Sequence, residues 1–176
     1  SVYGTNLYGA IQDSSQTNIT SVGTLVGLTV SAAILPNANA SINIGGTGSN
    51  WFGTVYAKAI QATYADLAER YAADAVYVPG TVMTIGGTAE VTQENAELSE
   101  SVFGVVSTDP AYLMNAEAGP DATHPPIALI GRVPVRVIGA VSKGAALVSA
   151  GNGCARAAQG HEKSMSFGRA LESSDD

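Results

Sequence analysis

Near the start of the chain the apolar positions Ile19, Val22, Leu25 and Leu28 recur every third residue. That spacing matches neither a half-buried strand, of period two, nor a sustained helix, of period about 3.6. It predicts short extended segments broken by glycine turns at Gly9, Gly23 and Gly27, with only some side chains pointing to an axis. The theme continues through a turn at Pro36-Asn37 and an alternating pair, Ile42 and Ile44. Alternation at Val55, Ala57 and Ala59 predicts strand to about residue 60. Alanines at 59, 62, 65 and 68 are three apart, and this predicts an irregular or short helical crossing up to Tyr71. From there the pattern becomes one of hairpins. Extended runs at 76–85, 89–92, 102–108, 126–141, 143–149, 154–158 and 165–171 alternate with Gly/Pro/Asn breaks, 109–115 is expected to bring a turn, and Pro134 marks an edge or bend. The fold expected is all-β, with an antiparallel barrel or sandwich in the second part. No βαβ alternation is visible, so a parallel sheet with a nucleotide crevice is not expected.

Charge divides the chain at the same place. Asp13 and Lys58 are the charged side chains of the first 60 residues, and the rest of the chain carries the whole net charge of −7. Two structural pieces follow, a shaft and collar over 1–60 and a β-rich head over 61–176. The first piece cannot stabilise itself alone. Fixing its backbone costs ~1–2 kcal/mol per residue, and a thin segment buries too little of its own apolar surface to offset that. It must pack against something, and copies of itself are the simplest partner. No apolar run approaches the ~20 residues of a membrane span, so no membrane insertion is expected. An acidic chain is a poor ligand for phosphates, so no nucleic acid is expected either. Ser1 is neither an initiating Met nor part of a signal-like start, and the chain is read as a fragment of something longer.

Few residue patterns suggest chemistry. One cysteine, Cys154, and two histidines, His124 and His161, cannot make the usual Cys/His zinc sites, and no cofactor is expected. The run Gly45 to Asn50 follows a strand-like pair but lacks the Gly-Lys-Ser/Thr of a phosphate loop, and it reads as a turn that folds Trp51 and Phe52 inward as collar packing. Asp66 and Glu69 are a carboxylate pair that could share a proton or hold a water, or could salt-bridge to Arg70, with Asp74 nearby. Glu90, Glu94, Glu97 and Glu100 form a second acidic series, read as a solvated loop before a cation site. No Gly-x-Ser-x-Gly elbow is present. Trp51, Phe52, Phe103 and Tyr112 are either core residues or stacking surfaces for sugars.

The pieces LYGAIQ and QTNITSVGTLVGLTVSAA resemble repeats of bacteriophage tail-fibre and other virion-fibre proteins, and SINIGGTGSNWFGTVYAKAIQATYADLAE resembles the segment joining such a shaft to its C-terminal domain. The runs YVPGTVMTIGG, FGVVSTDPAYLMN, IALIGRVPVRVIGAVSKGAALVS and GRALE are similar to that C-terminal domain, so the resemblance spans nearly the whole chain. It implies a virion appendage, on tail or capsid, built as an intertwined homotrimer with Ile19, Val22, Leu25, Leu28, Ile42 and Ile44 along the trimer axis. Its implied partners are other virion proteins through a preceding part and a host surface glycan or protein. Related appendage domains include intramolecular chaperones that cleave themselves near an Asp-x-Ala-Glu motif, which Asp66 and Glu69 match. Where those members place a serine just upstream, this chain has Ala62-Thr63-Tyr64-Ala65. The expectation is a retained, non-enzymatic trimerisation and tip module. Its alternatives are an autoproteolytic chaperone and a capsid decoration fibre.

Overall fold

A computed structural model describes residues 21, 23–36, 38–39, 42–46, 48 and 50–175. The expected axis positions Ile19 and Val22 lie outside the described residues. The chain divides into two units, 1–56 and 57–176.

In the first unit the described residues form turns, bends and irregular backbone, with no helix or strand among them, and every one is exposed. Leu25 and Ile42 are exposed, Leu28 is 71% exposed and Ile44 82%. Within a single chain, then, these side chains meet no core. The glycine run does make a turn: Gly46 N–H donates to the Asn50 carbonyl at 3.0 Å. At Gly45, with φ +87°, an added Cβ would lie 3.4 Å from the Phe52 ring, so that ring lies over the turn while both it and Trp51 stay largely open to solvent.

Among the described residues, the regular elements of the second unit are β-strands and one 3-10 turn. Its strands are β1 (Asp66–Arg70), β2 (Val82–Ile85), β3 (Val91–Gln93), β4 (Val102–Val106), β5 (Tyr112–Met114), β6 (Pro126–Gly131), β7 (Ala146–Gly151), β8 (Cys154–Ala157) and β9 (Gly168–Arg169). Six strands form one sheet in the order β3-β2-β4-β6-β1-β5, and three form another in the order β8-β7-β9. All pairings are antiparallel except β1 with β5.

Four expectations need correction. The stretch 61–71 is not a crossing: after exposed residues to Ala65 it becomes β1, an interior strand, because its alternating Asp66/Ala68 side is buried between β6 and β5. The alternation at 55–60 produces no strand, since no strand pairing with it occurs among the described residues. Residues 112–114, expected within a turn, are the parallel edge strand β5. The long run 126–141 also ends early, at Gly131. There φ is +117° and an added Cβ would come 2.3 Å from the Ala65 carbonyl oxygen, so the turn out of β6 requires glycine.

The larger sheet is covered on both faces, which is why its strands carry runs of apolar residues. On β2 and β4 successive side chains go to opposite sides. Val82 and Val105 join Val141, Leu147 and Ala155 in one cluster. Met83 and Val106 join Val91 and Ile127 in the other, with Tyr71 and Phe103 packed edge-to-face at 5.1 Å beside them. Each fully buried side chain of this kind contributes about 1.5–3 kcal/mol. Backbone bonds also tie the sheets together: Val82 N–H donates to Gly153, Gly153 N–H to Glu94, and Leu98 N–H to Ser149.

Candidate functional site

The carboxylates of the Asp66-to-Glu69 motif lie on a strand, and a spacing of three on a strand puts them on opposite faces. Asp66 shares its side with Ala68 and is only 6% exposed. It accepts a hydrogen bond from the Ser107 hydroxyl at 2.6 Å, inside the protein. Its backbone is held too, since its carbonyl accepts from Ala111 N–H at 2.8 Å and the Ala65 carbonyl from Arg132 N–H at 3.1 Å. Glu69 lies across from Ile127 and Met114 on the other face, where it accepts from the Tyr71 hydroxyl at 2.8 Å. Burial, and then that bond to Glu69, push the Tyr71 phenol up to about 12. The two carboxylates therefore do not form a proton-sharing dyad.

Arg70 bridges neither of them. Its guanidinium donates to Asp121 at 2.7 Å and to the His124 carbonyl at 2.6 Å, leaving its buried Nε without a partner among the described residues. Asp74 accepts from the Tyr77 hydroxyl, which holds its carboxyl below the usual range. The strand thus acts as a structural seam whose carboxylates are engaged by hydroxyl donors, Ser107 for Asp66 and Tyr71 for Glu69.

The second acidic series is likewise dispersed. Glu90 accepts from Ala72 N–H, buried Glu94 from Ala96 N–H and the Ser99 hydroxyl, and Glu97 pairs with Arg156. No cluster of three or more His, Cys, Asp or Glu suited to a metal occurs among the described residues. The His124 ring lies beside the Thr123 hydroxyl, whereas His161 sits on the 3-10 turn Gly160–Met165. Cys154 is buried. Of the aromatic candidates, Phe103 is committed to Tyr71, while Tyr112, Trp51 and Phe52 are exposed.

Two features had no sequence signal. Arg156 is held between Glu97 and Glu162, both at 2.7 Å, and its bidentate bond brings the Glu162 carboxyl down to about 2. Residues 97, 156 and 162 share no helical or strand spacing, so only folding of β8 against the 3-10 turn assembles them. The other is an open apolar groove. Pairing of β4 with β6 runs through Val106/Ile127 and Val105/Ala128 and then stops, where Gly104 lets the Ala128 carbonyl approach so closely that a Cβ would lie 2.6 Å away. Beyond that point the strands part over a groove of about 1330 Å³. Phe103, Leu129, Ile130 and Leu171 line it, as do Arg132, Lys143, Arg169 and Glu172.

No family model, curated protein or solved structure matches the chain. What it does must be argued from its own residues.

Proposed function

We propose that this chain is a structural element of a bacteriophage virion fibre. It acts as a homotrimer with an intertwined β shaft, followed by a head of barrel or sandwich type that promotes trimer formation and meets the host surface. It performs no catalysis. One observation carries this reading: every described residue before Asp66 is exposed, although the stretch includes Leu25, Val26, Leu28, Ile42, Ile44, Trp51 and Phe52 and almost no charge. Leaving each such side chain in water forgoes about 1.5–3 kcal/mol, and solubility under those conditions demands a partner surface. Copies of the same segment wound about a three-fold axis supply one, with contacts that close on themselves. The resemblance to fibre repeats points to the same assembly.

The test is solution mass by light scattering after size exclusion, with denaturing mass spectrometry of the same sample. Trimers of intact chains are expected. A stable monomer overturns the reading, and trimers of chains cut near residue 65 replace it with the self-cleaving chaperone.

A further inference from the structure

From the groove between β4 and β6 we infer a head-to-head contact in which the β5 edge of one copy docks into the groove of the next, around the three-fold axis. The inference rests on the trimer reading above and specifies which surfaces of the head meet. The groove is larger than the about 300–1,000 Å³ typical of small-molecule pockets, and it is open, so it suits a protein surface better than a metabolite. Ile130, 72% exposed, projects there beside exposed Leu129 and Leu171.

Charge identifies the occupant. Among the described residues Arg132, Lys143 and Arg169 have no ion-pair partner, whereas Arg70 and Arg156 are both paired. Three cations thus gather at an apolar groove, with only Glu172 opposing them there, on a chain of net charge −7. The complementary surface is β5. It is the last strand of its sheet, and no strand among the described residues pairs with its outer edge. It presents exposed Tyr112 and Met114, with exposed Asp109 before it. A strand edge that exposes Tyr112 and Met114 beside the Asp109 carboxylate matches a groove lined by apolar side chains and cations.

The two surfaces also adjoin. Ile130 lines both the groove and a smaller cleft that includes Tyr112. Two different patches meeting along one border are what a heterologous contact needs to close about a three-fold, because both then lie near the axis.

The test measures the trimer dissociation constant of the full chain by sedimentation equilibrium for the wild type, Arg132→Glu, Asp109→Lys, the two combined, and Lys163→Glu as an exposed control outside the groove. Arg132 and Asp109 are exposed and make no ion pair among the described residues, so both variants should fold, which circular dichroism checks. Each single reversal is expected to raise the constant roughly tenfold, the pair to return within about threefold of wild type, and the control to leave it unchanged. Should the wild type be trimeric and the reversals behave like the control, the groove contact is wrong and the trimer stands. Weakening without recovery in the pair overturns β5 as the occupant. A monomeric wild type removes the trimer and this contact together.

Discussion

The stretch before residue 57 and the head solve the burial problem in opposite ways. In the head, β2, β4 and β6 send alternate side chains to two cores, so Val82, Met83, Val105 and Ile127 are all buried within one chain. The earlier stretch carries comparable side chains, Leu28 and Ile44 among them, and every described one is exposed. Hydrophobicity alone therefore does not decide burial. What decides it is whether an opposing surface is supplied: returning strands do so in the head, whereas the described residues of the earlier stretch form no strand pairing and stay exposed.

The largest effect expected from breaking this contrast is in the core. Met83→Ala should cost about 2–5 kcal/mol in urea unfolding, as a buried side chain leaves a cavity between packed strands. Leu28→Ala sharpens the comparison. In a lone chain it should change stability by less than about 0.5 kcal/mol, whereas in the proposed trimer it should approach the cost of a core truncation and depend on protein concentration.

Next in size is Gly131→Ala, expected to cost about 2–4 kcal/mol. It combines positive φ with a collision at the Ala65 carbonyl, where the exposed segment enters the sheet. Thermal unfolding of the variant reads it directly. Ser107→Ala should cost about 1–3 kcal/mol by leaving the buried Asp66 carboxylate without its hydroxyl donor, and Ser107→Thr, which keeps the donor, should recover part of that loss.

The smallest effect is a pH dependence. The Glu162 carboxyl lies at about 2 in the folded protein against 4.5 as its ordinary value, so between those values the unfolded chain binds more protons. The stabilisation from its contact with Arg156 is complete above 4.5 and is lost as pH falls toward 2. Melting temperatures followed downward from pH 5 should fall more steeply for wild type than for Glu162→Gln, and parallel curves would show that the contact contributes nothing.

How much was legible in the sequence varies by element. The hairpins from residue 76 onward were visible because strand alternation and Gly/Pro/Asn breaks are local signals, and the β-dominated architecture follows from them. β1 was not, because the alanines at 59, 62, 65 and 68, of which only Ala68 lies in the strand, suggest a helical turn more strongly than five strand residues suggest a sheet. β5 was hidden in the same way: three residues between turn-forming neighbours become a strand only because β1 lies beside them. The acidic motif was legible as a motif, but its meaning depended on the secondary structure carrying it. On a helix, residues 66 and 69 would face one another; on β1 they face apart.

By itself, then, the sequence determined the β class and the charge seam near residue 60, both of which follow from composition and periodicity. Only the tertiary structure decided that Asp66 meets Ser107, that Arg156 joins Glu97 to Glu162, and that β4 and β6 part to open a groove. The Asp66–Ser107 and Glu97–Arg156 bonds join residues 41 and 59 positions apart, and the groove depends on where one strand pairing ends. No local pattern carries that information, because the chain's course between such residues is set by the packing of the whole sheet.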